Sequence, residues 1–97
     1  MFARVTTQQG SPDGLDASLK VVQEQIVPAA REMSGFERIL ILADRASGKS
    51  LGITLWESEE AMRASEETAT TLRAAVAGAG GADVVSVEHL EVLLDER

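Results

Sequence analysis

The chain contains one histidine, His89, and histidine is the side chain that ordinarily exchanges a proton near neutral pH. His89 lies in a predicted strand, where alternation places Val87, His89 and Glu91 on one face. Glu91 can then orient the imidazole, which makes His89 the catalytic candidate of this sequence. The alternative, which we favour, is a strand histidine that faces solvent or a subunit interface.

Three residues around the start of the second predicted helix are candidates for contact with a substrate: Trp56, Met62 and Ser65. Trp56, the only tryptophan, can stack on a flat ligand, although a lone tryptophan at a strand end more often fills the core. Such a core tryptophan can still form a cavity wall. The helix stripe that begins at Met62 contains small residues, so either the helix packs close to the sheet or a void remains. Any cavity is therefore expected between the second helix and the sheet, beside Trp56.

Other motifs predict no cofactor or metal site. The chain has no cysteine, and one histidine with scattered carboxylates gives no metal-ligand spacing. Gly48, Lys49 and Ser50 match only the end of a phosphate-binding loop, because position 43 is alanine and a predicted strand follows. This segment is interpreted as a hairpin turn.

Composition indicates an ordinary globular chain. With 97 residues and 44% hydrophobic residues, we expect one domain over residues 1–97. The net charge of −7 argues against partners that present phosphates, which excludes nucleic acid and anionic membrane surfaces. No stretch has the length and hydropathy of a signal peptide or a membrane span, so a cytoplasmic location is expected.

Hydrophobic periodicity predicts two helices and four strands. The first helix carries an apolar stripe from Leu15 to Met33, and Pro28 inside it is expected to kink or break the helix. The second helix follows a Ser58 cap and ends in a glycine-rich link at residues 78–81. Strands are expected at residues 2–7, 36–43, 51–56 and 83–94.

This order is βαββαβ, the ferredoxin-like plan of the α+β class: an antiparallel four-stranded sheet with two helices on one face. Residues 39–43 are apolar without alternation, which predicts a strand buried on both faces. Because the helices cover only one face, we expect a homodimer in which two sheets pack face to face. The alternative is a monomer whose tail covers the second face.

Several segments resemble the antibiotic biosynthesis monooxygenase-like (ABM-like) proteins of the dimeric α/β-barrel superfamily. The matching segments are residues 26–32 (IVPAARE), Gly35-Phe36, Asp44-Arg45 with Gly48-Lys49, and residues 56–62 (WESEEAM). The resemblance implies a dimeric α/β barrel with a ligand cavity between helices and sheet. It implies a small-molecule enzyme, in one form a cofactor-independent monooxygenase that acts on a planar, apolar, polyketide-like substrate. The alternative is a non-catalytic dimeric module that binds a small ligand or has a structural role.

The haem-degrading branch of this superfamily carries an asparagine on its first strand and a tryptophan and a histidine in its second helix. These positions correspond by pattern to Thr7, Ser65 and Ala74-Ala75, none of which matches. We therefore expect no productive binding of haem. The polyketide-oxidising branch has asparagine, tryptophan, tyrosine and arginine around its cavity, and only Trp56 and the arginines have counterparts here.

Overall fold

The structure is a computed structural model that describes residues 1–97. Its four strands form one antiparallel sheet in the order β2-β3-β1-β4. The strands are β1 (Phe2–Gln9), β2 (Phe36–Ala43), β3 (Lys49–Trp56) and β4 (Asp83–Glu91). With helices between β1 and β2 and between β3 and β4, this is the α+β ferredoxin-like fold, and the prediction from sequence is confirmed.

The first helical segment passes Pro28 without ending. After a short 3-10 turn (Pro12–Gly14), it runs as α1 (Leu15–Val21), a π-helical turn (Val22–Ile26) and α2 (Val27–Arg31). In the π turn the amide of Val27 donates to the carbonyl of Val22, five residues back. Pro28 has no amide to donate, and the wider turn before it accommodates its ring. The helix therefore does not break at Pro28, and the structure places a π turn just before it.

The second helical segment begins where the sequence predicts and extends further. Ser58 caps α3 (Glu59–Ala64), and its Oγ accepts a hydrogen bond from the amide of Ala61 at 3.1 Å. A second helix, α4 (Glu66–Gly80), follows after Ser65. It ends only at Gly81, whose φ of 65° is left-handed. The glycine-rich residues expected as a link are thus mostly helical, and Gly80 among them packs closely against Gly14 and Ser18.

The two helical segments contact each other on one face of the sheet. Ser18 of α1 donates a hydrogen bond from its Oγ to the carbonyl of Val76 in α4 at 2.9 Å. Near this contact the backbones of Gly14 and Gly80 approach so closely that neither position has room for a side chain. These contacts fix the distance between the helices and so define the space beneath them.

The other face of the sheet, which we call the outer face, is apolar and uncovered. Strand alternation and register place these side chains on it: Val5, Leu40, Leu42, Ile53, Leu55 and Leu90. Leu42 is 48% exposed. The tail after β4, expected in part to continue the strand to residue 94, has no regular structure, and Leu93 and Leu94 remain exposed. The tail therefore does not cover the outer face. No helix has the length and hydropathy needed to cross a bilayer.

Candidate functional site

A cavity of about 360 Å³ lies between the sheet and both helical segments. Its volume is at the lower end of the range for small-molecule sites. The second helix contributes Ser65, Ala69 and Leu72 to the wall, as expected from its small residues. The first helix also lines the cavity, through Leu19 and Val22, although the sequence suggested that its larger residues would fill this space. Both helical segments therefore form the wall, and not the second segment alone.

The three candidate substrate-binding residues have different positions. Trp56 is 2% exposed and lines the cavity, so it is both a core residue and part of the wall. Its ring packs edge-on against Phe36, with centroids 5.6 Å apart, and its Nε1 donates to Thr54 Oγ1 at 3.0 Å. Ser65 is buried and lines the cavity. Met62 is buried in the core but does not line the cavity, so its expected contact with substrate is not supported.

Gly52 of β3 helps to keep the cavity empty, and the sequence analysis missed it. It pairs with Ile41 of β2 and lines the cavity. A Cβ at Gly52 would lie 3.6 Å from Ile41 Cδ1, which is ordinary contact, so the position has room for at least a methyl group. Ile41 also lines the cavity yet remains exposed on the edge strand, so the cavity opens to solvent there. A glycine within a predicted strand was the available signal.

A buried arginine lies at the inner, Trp56 end of the cavity. Arg4 of β1 is 4% exposed and lines the wall. Its Nη2 donates to the carbonyl of Met62 at 2.7 Å and to Ser65 Oγ at 2.8 Å, and its guanidinium carbon lies 5.7 Å from the Trp56 ring centroid. These bonds explain how a charged group is tolerated here. Burial nevertheless lowers the pKa of Arg4. The charge of Glu66 and its hydrogen bond to Arg4 raise this pKa again, but only in part.

Glu66 of α4 joins three other charged or titratable side chains. Its Oε1 lies 3.2 Å from Arg4 Nη2 and 2.5 Å from His89 Nε2, while its Oε2 lies 3.6 Å from Arg73 Nη2. Burial raises the pKa of Glu66, but the hydrogen bond with His89 and the charge of Arg4 outweigh this effect. The net result is a pKa below the ordinary glutamate value, so Glu66 is ionised at neutral pH.

His89 faces the helices, opposite Arg4 in the β1–β4 register, and its carboxylate partner is Glu66 rather than the expected Glu91. It is partly exposed, as the favoured alternative assumed, but it does not lie on the outer face where two sheets could meet. His89 also does not line the cavity. Its contact with Glu66 links residues 23 positions apart, which strand alternation alone could not reveal.

Arg73 of α4 is the second arginine of the inner end. Its side chain is 14% exposed and lines the cavity. Its Nη2 is buried and has no hydrogen-bond partner, since Glu66 Oε2 at 3.6 Å is beyond hydrogen-bond distance. The sequence analysis did not identify Arg73. Its spacing of seven residues from Glu66 and eight from Ser65, which places all three on one helix face, was the available signal.

An exposed ion pair lies at the opposite, solvent-facing end of the cavity. Arg45, in the turn between β2 and β3, donates to Asp16 of α1 with an Nη2–Oδ1 distance of 3.0 Å. Both residues line the cavity. The hydrogen bond from Arg45 lowers the pKa of Asp16. The titratable side chains on the cavity wall are therefore Arg4, Arg73, Arg45 and Asp16, and the one carboxylate among them is engaged with Arg45.

No family model matches the chain. The uncharacterized protein Rv2558 of Mycobacterium tuberculosis is 37% identical over 99 residues, which cover 100% of this chain and 41% of that protein. The chain thus spans about two fifths of the length of this curated relative.

Solved structures share the fold across nearly the whole chain. A monooxygenase from the gene ActVA-Orf6 of Streptomyces coelicolor, in complex with nanaomycin D, aligns with a TM-score of 0.71 and 18% identity, over 98% of this chain and 92% of that one. SnoaB, a cofactor-independent oxygenase from Streptomyces nogalater, gives a TM-score of 0.72 and 13% identity, over 97% and 94% of the two chains. The haem degrader MhuD of Mycobacterium tuberculosis, with two haems in its active site, aligns with a TM-score of 0.66 and 25% identity, over 100% of this chain and 100% of that one.

These similarities place the chain in a structural class: it has the ABM-like fold, and the resemblance found in the sequence is confirmed at that level. Proteins of this fold include enzymes that bind ligands as different as nanaomycin D and haem. The fold alone therefore does not assign a substrate to this chain.

Proposed function

We propose that residues 1–97 form one ABM-like domain that binds a flat, apolar small molecule and acts on it as a cofactor-independent monooxygenase. The observation that carries the proposal is the cavity between helices and sheet. Its wall is mostly apolar, Trp56 and two arginines, Arg4 and Arg73, line it, and the Arg4 guanidinium lies over the Trp56 ring. This is the composition of a small-molecule site: an apolar enclosure with a few polar groups that fix orientation.

The proposed reaction uses only the substrate and molecular oxygen. A methylene carbon activated by a neighbouring phenol loses two hydrogens and gains one oxygen atom as a carbonyl, while the second oxygen atom leaves as water. The substrate supplies all four electrons, so no external reductant is required. Arg4 and Arg73 can stabilise the negative charge that develops on the substrate oxygen when the activated position loses its proton.

A second candidate is a module that binds the same class of ligand without turnover. The titratable groups on the wall favour it, because they are three arginines and one aspartate already paired with Arg45. His89, the residue type best suited to accept a proton, lies outside the cavity wall. Catalysis would then depend on a substrate acidic enough to ionise without a protein base.

We also propose that the chain forms a homodimer through the outer face of the sheet. That face carries a continuous set of apolar side chains, including the exposed Leu40, Leu42 and Leu90. A monomer rarely exposes a large contiguous apolar patch, and a second copy would cover it. The cavity opens on the opposite side of the sheet, so dimerisation leaves the ligand site of each chain accessible.

The experiment that tests the proposed function combines Trp56 fluorescence with oxygen uptake over a panel of anthrones, quinols and phenols. Trp56 is the only tryptophan, so a change in tryptophan emission reports on the cavity wall. Quenching with oxygen uptake that survives a chelator and needs no flavin supports the monooxygenase. Quenching without uptake supports the binding module.

Gly52→Val is the matched control for this experiment. Valine suits a strand and adds volume at the cavity wall without a change of charge. We expect the variant to fold, to remain unquenched and to consume no oxygen. If wild type shows neither quenching nor uptake with any compound, or if Gly52→Val responds as wild type does, the cavity is not the functional site.

A further inference from the structure

Arg73 presents a hydrogen-bond donor that nothing in the chain accepts. Its Nη2 is buried without a hydrogen-bond partner, and the Arg73 side chain, which is 14% exposed, lines the cavity. Buried polar groups are almost always satisfied, and an unsatisfied charged donor destabilises a protein more than a neutral one. Such a group at the wall of a ligand cavity is explained most directly by an acceptor that arrives with the ligand.

The neighbouring carboxylate of Glu66 forms an ion pair with Arg73 but does not lie at hydrogen-bond distance from it. Glu66 directs Oε1 toward Arg4 and His89, which leaves only Oε2, at 3.6 Å, for Arg73. Arg4 has already placed its Nη2 between Met62 O and Ser65 Oγ. Two guanidinium groups therefore share one carboxylate, and the inner end carries an excess positive charge although the chain as a whole has a net charge of −7.

We propose that the ligand of this cavity carries an oxyanion, a carboxylate or an ionised phenol, which binds Arg73 at the inner end. The inference rests on the proposed function, because it assumes that the cavity binds a flat, apolar molecule. The guanidinium presents a planar fork of donors that matches an anionic oxygen group better than a neutral one. The apolar remainder of the wall fits the body of the ligand, with its ring against Trp56.

The test is calorimetric titration of the 97-residue chain at pH 7 with two probes of the same shape, 2-naphthoate and its neutral counterpart 2-naphthamide. We expect wild type to bind naphthoate about tenfold or more tightly than naphthamide, as charge-assisted hydrogen bonds do. Arg73→Gln should abolish this preference and leave the affinity for naphthamide within about twofold. The control Arg31→Gln removes the same charge from an exposed helix position and should keep the preference.

A variant, Arg73→Lys, tests the guanidinium shape, and a chromogenic phenol tests the phenolate as the source of the oxyanion. Lysine keeps the charge but loses the planar fork, so this variant should show an intermediate preference. A nitrophenol, whose ionised form absorbs visible light, tests the phenolate source: bound to wild type it should ionise at lower pH than in buffer, and bound to Arg73→Gln it should not.

The outcomes separate this inference from the proposed function. Equal affinity of wild type for naphthoate and naphthamide, or a preference that survives in Arg73→Gln, overturns the inference while the cavity remains a binding site. Failure of both naphthalene probes and the phenol to bind overturns the proposed function, and the inference with it.

Discussion

Glu66 is the one carboxylate that faces Arg4, Arg73 and His89 at the inner end of the cavity. The substitution Glu66→Gln therefore gives the sharpest test of the electrostatics of this group. Glutamine keeps the size and an acceptor oxygen but removes the charge that faces Arg4, Arg73 and His89. Removal of one partner from a fully buried ion pair costs about 3–5 kcal/mol, and an exposed pair contributes about 0–1 kcal/mol. Arg4 is 4% exposed and Glu66 is 37% exposed, so the expected loss of unfolding free energy is intermediate, about 1–3 kcal/mol.

The pH dependence of this loss follows from the lowered pKa of Glu66. Because the folded pKa lies below the unfolded one, the unfolded chain binds the proton more readily. The charge of Glu66 therefore stabilises the fold fully above the ordinary glutamate pKa of about 4.3, and the stabilisation disappears as pH falls through the folded pKa. Wild type and Glu66→Gln should differ most near pH 6–7 and converge in acid.

The assay is chemical denaturation at several pH values, with thermal unfolding as a second measure. All variants are compared at one protein concentration, because a dimer would make stability depend on concentration. Each kcal/mol corresponds to about 4–8 °C in Tm for a domain of this size. Glu24→Gln, which removes the exposed pair with Lys20 at 3.9 Å, is the control and should change stability by less than about 0.5 kcal/mol. A pH-independent effect of Glu66→Gln, or one no larger than the control, would refute the reasoning.

Three further predictions concern the outer face, haem and Gly52. In sedimentation velocity at micromolar concentration, Leu42→Lys should convert the dimer to monomer or unfolded chain, because it places an unpaired charge in an apolar interface. The control Ser47→Lys, in an exposed turn, should leave the dimer intact. A wild-type monomer that does not aggregate would contradict the dimer. Haem added to the protein should show no stoichiometric Soret shift and no turnover with a reductant, since α4 carries no histidine that could bind the iron. A Soret shift that depends on a protein side chain as iron ligand, together with turnover, would contradict this. Gly52→Val should raise the unfolding free energy by about 0.5–1 kcal/mol in chemical denaturation, because glycine weakens a strand; destabilisation would show that the position lacks room for valine.

The fold could be predicted because its signals are local. The apolar strand β2, the Ser58 cap and the alternation of apolar and helical stretches each depend on a few neighbouring residues. The π turn before Pro28 could not be predicted, because proline only forbids one hydrogen bond and does not choose between a kink, a break and a wider turn. The helix continues to Gly80, where close packing against Gly14 and Ser18 outweighs the weak helix propensity of glycine, and such packing is not visible in the sequence.

The candidate site could be predicted only in part. Trp56 and Ser65 were identified because a lone tryptophan and a run of small residues are visible in the sequence. Arg4 and Glu66 were missed because their contact joins residues 62 positions apart, through the pairing of β1 with β4 and the packing of α4 above them. Arg73 becomes notable only when its burial and its lack of a partner are known, and neither property is local.

The position of a bound ligand tests the central claim most directly. A crystal structure of the chain with 2-naphthoate should show the ring in the cavity between the helices and the sheet, against Trp56, with the carboxylate at hydrogen-bond distance from Arg73. Density for the ligand only elsewhere, for example on the outer face beside Leu42, together with an empty cavity, would contradict the account.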